Sequence, residues 1–211
     1  MPQITDIIRP TPLFLLLIFL TGSLTGCKDH GPDEVKSSEP RMAEEKTAVR
    51  EVENNGWLSN SLFGLNFETP GKLVRQDINL PKGMELHARE VHAYTFSDRA
   101  IAVNFSAIEM IGAQYDTKSG LSGAVANLVN HLGGQTERLD FGKVPGLKNA
   151  VNCFGTFTYN DSPAEVRGFC HFDPDTRYAL ILVAVAPGKD KKSSSKVNRI
   201  FRSLSYVPED A

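Results

Sequence analysis

The chain reads as an α+β protein, an antiparallel sheet flanked by helices. Several segments alternate apolar and polar residues with the period of a strand, two others repeat apolar residues at helical spacing, and turn residues separate them. The 211 residues, 41% hydrophobic and 23% charged, suit one globular domain with appendages. Acidic residues (25) slightly outnumber Lys and Arg (23), which argues against a nucleic-acid partner, since a polyanion binder needs a basic surplus or stripe.

The first element lies outside that domain. Leu13 to Leu20, LFLLLIFL, is unbroken hydrocarbon, preceded by Arg9 and followed by Thr21, Gly22 and Ser23. A bilayer span needs about 20 apolar residues, so this shorter run reads as the core of a signal peptide, residues 1–26. Leu24, Thr25, Gly26 and Cys27 close it and resemble the bacterial lipobox. The resemblance implies a diacylglycerol thioether on Cys27, cleavage just before that residue and acylation of the new amino group. The bilayer is then the first expected partner, because two or more acyl chains hold a protein stably where one binds only marginally. Lys28 after Cys27 resembles the enterobacterial pattern of release to the outer membrane, which favours that membrane over the inner one and a domain facing the periplasm. A metal site of Cys27 with His30 lacks a second ligand pair at suitable spacing.

Residues 27–56 are charged, nearly free of large apolar side chains and interrupted by Gly31, Pro32 and Pro40. Such a stretch buries too little to order itself and is expected to be a disordered, lipid-anchored linker, the alternative for Arg41 to Asn54 being a short solvated helix outside the core. The folded domain is expected over 57–207, with 208–211 a tail; roughly 150 residues suffice for one core.

Within the domain, LFGLNFETPGK predicts a strand ending at Pro70-Gly71, and EVHAYTFS with AIAVNFSAIEM predicts a hairpin about Ser97-Asp98-Arg99. Leu121, Val125, Leu128, Val129 and Leu132 mark one face of a helix stopped by Gly133-Gly134. LDFGKVPGLKNAV places Pro145-Gly146 in a tight turn between strands. Tyr178 to Ala186 reads as a buried strand, and Val197, Ile200, Phe201 and Leu204 mark a closing helix. Each helix carries one apolar stripe, so each is expected to lie on the sheet.

The segment from Val151 to Phe172 predicts two long antiparallel strands. With the turn at Asn160 to Pro163, Val151 faces Phe172, Cys153 faces Cys170, Gly155 faces Gly168 and Phe157 faces Val166, all on one side. Asn152 with His171, Thr156 with Arg167 and Thr158 with Glu165 fall on the other, where Phe154 with Phe169 is an apolar exception. A slip of one residue would scramble this sorting. Facing Cα atoms lie roughly 4.5–5.5 Å apart, within disulfide reach, so a Cys153–Cys170 bridge is expected in an exported protein, the alternative being two buried thiols.

No motif fixes an activity. Cys170 and His171 are strand neighbours pointing to opposite faces, which opposes a Cys-His nucleophile. GLSGA, Gly120 to Ala124, approaches a serine-hydrolase elbow around Ser122 but lacks the preceding buried strand and reads as helix. His87 and His92 have no third ligand by spacing, and Asp173-Pro-Asp175-Thr lacks the rest of a calcium loop. Lys189 to Lys196, KDKKSSSK, is the one basic cluster, able to touch anionic head groups or an acidic partner, or simply a solvated loop entering a helix.

In order, LFGLNFETPGKL, a hairpin, a helix ending LGGQ, VPGLKNAV, two long strands, RYALILVAVAP and a helix with IFRSLSY resemble the PsbP-like α/β/α sandwich. Within it, the chain resembles small bacterial lipoproteins of the DcrB-like kind. The resemblance implies a binding or assembly module, as in a photosystem extrinsic subunit and a Ran-binding protein, and brings no catalytic residues. The expectation is therefore a non-enzymatic envelope lipoprotein without cofactor or metal and with an envelope protein as partner. Its competitors are a periplasmic hydrolase using Ser122 or a histidine, and a small-ligand carrier.

Overall fold

The computed structural model describes residues 53–54, 56–78, 80 and 84–208. The expected signal peptide, the lipid-attachment residue Cys27 and most of the expected linker lie outside the described residues. Seven strands form the main sheet: β4 (Val74–Gln76), β5 (Ala88–Ser97), β6 (Ala102–Met110), β7 (Gln135–Lys143), β8 (Ala150–Tyr159), β9 (Ser162–Phe172) and β10 (Tyr178–Pro187). Their spatial order is β4-β5-β6-β10-β9-β8-β7, and every pairing is antiparallel. A smaller sheet, β1-β2-β3-β11, is made by β1 (Glu53–Asn54), β2 (Trp57–Leu62), β3 (Leu65–Thr69) and β11 (Ser205–Tyr206).

Helix α1 (Thr117–His131) lies on one face of the main sheet, and α2 (Lys191–Arg202) with the small sheet covers the other. The protein is thus α+β, mainly antiparallel, with one helix on each face; the second face also receives a second sheet that the strand patterns did not foretell. Strand β10 explains why two cores form. Its Ile181, Val183 and Val185 point into the α1 core, while Leu180, Leu182 and Ala184 point into the α2 core. A strand buried on both sides must be apolar at every position, and Ala179 through Ala186 is.

Local chemistry sets the element ends. Asp116 caps α1 by accepting the amides of Lys118 and Ser119 at 3.0 and 3.1 Å. At its other end Gly133 adopts φ +69° and donates to Asn130 O, while Gly134 donates to Val129 O, a Schellman stop that a Cβ would oppose. Asp98 turns the β5–β6 hairpin by accepting the amides of Ala100 and Ile101, both at 2.7 Å. The expected Pro145-Gly146 turn is present, with Gly146 at φ +78°.

Two turn placements differ from expectation. LFGLNFETPGK is a hairpin, β2 and β3 joined at Phe63-Gly64, both with positive φ, so that Leu62 faces Leu65. The long β8–β9 hairpin turns on two residues, Asn160 and Asp161, at φ +46° and +56°. Tyr159 therefore faces Ser162, and each partner on β9 sits two residues earlier than expected. The face sorting survives, since a two-residue slide preserves parity. The partners change: Cys153 faces Gly168, and Val151 faces Cys170. The slide also resolves the apolar exception. Phe169 is buried in the α2 core, whereas Phe154, 39% exposed, faces Arg167 and carries its guanidinium 5.0 Å above the ring.

Candidate functional site

That register corrects the expected facing of Cys153 and Cys170 on which the disulfide expectation rested. Cys153 and Cys170 are diagonal neighbours, for which Cα separations run to roughly 7–8 Å, beyond ordinary disulfide reach. Both are buried free thiols in the α1 core. The Gly168 opposite Cys153 is there because space is short: a Cβ at 168 would come within 2.7 Å of Leu121 Cδ1 and 2.8 Å of Cys153 Sγ. Burial pushes the Cys153 thiol up to about 12 and raises Cys170 further in the same direction, so neither is a ready thiolate.

The other singled-out residues are dispersed. Ser122 lies inside α1, which runs through all of Gly120 to Ala124, so the strand-turn-helix of a nucleophile elbow is not formed there. His87 follows a short 3-10 turn, Met84–Leu86, while His92 is on β5, its Nε2 3.1 Å from Glu90 Oε1 and its ring 4.8 Å from that of Phe63. Among the described residues no three His, Cys, Asp or Glu side chains gather closely enough to hold a metal ion. Nor is any described helix long and apolar enough to cross a membrane.

Asp173 is a structural hub. Its Oδ1 accepts the Asp175 amide at 2.9 Å, and its Oδ2 accepts hydroxyls from Thr176 at 3.0 Å and Tyr206 at 2.7 Å. Burial alone would raise this carboxyl, but those donors together hold it below the usual carboxylate range. The Tyr206 ring packs against buried His171 at a tilt of 59°, with centroids 4.4 Å apart. Burial lowers the His171 pKa, against the opposing pull of Asp173 and of the Asn149 and Lys148 carbonyls. This cluster pins β11 onto β9 from the second face.

A concave feature lies along α2. Val197 and Ile200 turn inward, and Asp190 caps the helix by accepting the Lys192 amide at 3.0 Å and the Ser193 hydroxyl at 2.5 Å. The same 3.6-residue period then presents Lys191, Ser194, Ser195, Asn198, Arg199 and Arg202 along one outer stripe. With Glu165 of β9 and Gly188 as the facing wall, this stripe borders a groove of about 810 Å³. The helix is held firmly over it. Arg199 Nε donates to Glu68 Oε2 at 2.8 Å, and its guanidinium lies 4.3 Å from the Trp57 ring centre. Ser203 Oγ accepts the Glu68 amide, Ser194 Oγ donates to Glu165 at 3.0 Å, and Lys196 pairs with Asp98 at 2.9 Å.

Lys191 and Arg202, at the two ends of the stripe, are exposed. The groove therefore offers two separated cations joined by a track of hydroxyl and amide groups, a surface suited to an elongated ligand rich in acceptor oxygens. Sequence reading isolated KDKKSSSK but treated it as a loop entering a helix. The helix starts at Lys191, so Arg199 and Arg202 extend the same stripe; the clue was the helical spacing of Lys191, Ser194, Ser195, Asn198 and Arg202 outside the apolar positions.

No protein-family model and no curated protein matches the chain. Among solved structures, the Ran-binding protein Mog1p of Saccharomyces cerevisiae is similar at a TM-score of 0.42 and 9% identity, covering 72% of this chain and 96% of its own. A Pseudomonas aeruginosa protein of unknown function is similar at a TM-score of 0.31 and 11% identity, covering 67% of this chain and 100% of its own. The functional reading rests on the chain's own residues.

Proposed function

We propose that the chain is a non-enzymatic binding or assembly module of the bacterial cell envelope, anchored in the outer membrane through acylated Cys27, with the α2 groove as its recognition surface. The observation that carries this reading is the groove: a polar, cationic concavity on a helix tied down by Glu68, Glu165 and Asp98. A rigid scaffold presenting exposed charge suits recognition of another molecule. The two described thiols are held in their protonated form in the core, which suits packing rather than chemistry. One helix on each sheet face is consistent with a PsbP-like α/β/α sandwich of the DcrB-like kind, with the small sheet as an addition on the α2 side. The LTGC segment at the end of an apolar core supports the anchor.

The test is crosslinking and pull-down from membranes, comparing the wild type with a Lys191→Glu/Arg202→Glu variant. Partners lost on charge reversal support the groove; an unchanged partner set sinks it. Separately, Cys27→Ala is expected to abolish palmitate incorporation and leave an unprocessed precursor, and normal labelling of that variant would remove the anchor from the proposal.

A further inference from the structure

The two ends of the main sheet are built differently. At one end β4 is three residues long, the kind of short strand with which sheets blunt an edge. At the other, β7 runs for nine residues, and among the described residues it pairs with β8 alone. Every second residue of β7 therefore turns its amide and carbonyl outward, and most of its side chains are exposed. Such an edge is a template for another strand.

The side chains select which strand fits. Leu139 and Phe141 lie on the α1 face, partly buried against that core, so Arg138 and Asp140 alternate to the other face. Their side chains are 75% and 54% exposed and pair with each other at 2.7 Å. A row of like charges would repel a second copy, whereas opposite charges two residues apart complement their own reversed order. Two β7 strands joined antiparallel about a two-fold axis perpendicular to the sheet keep each face on its own side, so one residue must face its own copy. Centring the pair on Arg138 or Asp140 sets like charges opposite each other, which is unfavourable. Centring it on Phe141 sets Asp140 against Gly142 and Leu139 against Lys143, and pairs no charges. Centring it on Leu139 sets Arg138 against Asp140 of the second copy twice over and joins the two leucines. Centres nearer either end overlap too few residues or fall on the bulge between Thr136 and Arg138, where Glu137 accepts the Thr158 hydroxyl. The bulge also limits the ladder to a short stretch about Leu139. Because β4 offers no comparable second edge, pairing closes at two copies.

We propose that β7 is a self-association edge through which two copies of this chain pair antiparallel, with Leu139 facing Leu139 on the two-fold axis and Arg138 facing Asp140 on either side of it. The axis is perpendicular to the sheet, so both α2 helices lie on the same face of the joined sheet and both grooves open on that side. Two grooves on one assembly raise the avidity for a repetitive or membrane-held partner.

The test is sedimentation velocity of the full chain in excess detergent micelles, using the wild type, Arg138→Asp, Asp140→Arg and the double exchange. The wild type should form a dimer as concentration rises. Either single reversal places like charges at both facing positions and should weaken the dimer about tenfold. The double exchange restores opposite charges, keeps the wild-type composition and should restore the dimer. Mixing the two single variants should give a heterodimer where neither associates with itself. Leu139→Cys should form an intermolecular disulfide under mild oxidation, since facing Cα atoms lie roughly 4.5–5.5 Å apart, whereas Lys143→Cys, away from the axis, should not. A wild type that stays monomeric, a double exchange that does not restore association, or equal crosslinking at positions 139 and 143 would each overturn the edge pairing. None of these readouts involves Lys191 or Arg202, so failure here leaves the α2 groove to its own test.

Discussion

Replacing Tyr206 by Phe isolates the bond that locks the C-terminal strand to the main sheet. Tyr206 pairs with Leu65 across β11 and β3, the following Val207 amide donates to Gly64 O at 2.8 Å, and the phenol reaches Asp173 Oδ2 at 2.7 Å. Phe keeps the ring on His171 and deletes only the donor. The carboxylate left behind is 7% exposed and keeps the Asp175 amide and the Thr176 hydroxyl. Loss of one hydrogen bond to a buried charge costs about 1.5–3 kcal/mol. The cost should depend on pH with a definite sign. The folded pKa of Asp173 is depressed, so its stabilisation is complete above the unfolded value of about 3.9 and disappears as pH falls through the lower folded value. Urea unfolding of both proteins at pH 7 and again near pH 2.5 measures this, provided the denaturant slope is unchanged. A gap of the stated size at neutral pH that narrows in acid is expected. A gap below about 0.5 kcal/mol at pH 7, the size of an ordinary surface substitution, would show that the phenol does not bond a buried charge.

Three further outcomes follow from the same geometry. His171 has a lowered folded pKa, so the unfolded chain binds the extra proton first and stability should fall as pH drops below about 6.5; His171→Gln should flatten that slope between pH 7.5 and 5.5, and an unchanged slope would clear His171 of the effect. Cys153 and Cys170 should resist iodoacetamide in the native protein and react after denaturation, whereas a peptide joining the two in non-reduced material would restore the facing register. Gly168→Ala forces a Cβ against Leu121 and Cys153 and should cost about 1–3 kcal/mol by denaturant unfolding, part of it recovered when Cys153→Ala is added; additive costs would mean the two positions do not touch.

The β8–β9 hairpin shows where sequence pattern stops being informative. Alternation assigned Val151, Cys153 and Phe157 to one face and Asn152 and Thr156 to the other, and the structure keeps that assignment. It could not choose between a four-residue and a two-residue connection, because sliding one strand by two residues returns every side chain to the same face. Turn chemistry makes the choice. Asn and Asp are the non-glycine residues that best tolerate the left-handed region, and Asn160-Asp161 supplies both positions of a two-residue loop. Two positive-φ residues therefore determined whether two cysteines faced each other. The β2–β3 hairpin was hidden for a related reason: in LFGLNF the turn residues Phe63 and Gly64 continue an apolar run, and only the backbone sign at Phe63 breaks it.

Helix α2 carries the same lesson into function. Its apolar positions, Val197 and Ile200, were legible as a core-facing stripe and dock where expected. The remaining positions have the same period, but period alone does not say which of them face open solvent and which face a wall. That depends on Glu165 and Gly188, which supply the wall opposite the helix, and on Glu68 and Trp57 of the small sheet, which hold Arg199 in place. A cationic stripe becomes a groove only when distant strands supply its far side. The shape of the groove is thus a property of sheet topology acting on a helix, and variants that loosen the Arg199–Glu68 anchor should change the groove without touching Lys191 or Arg202.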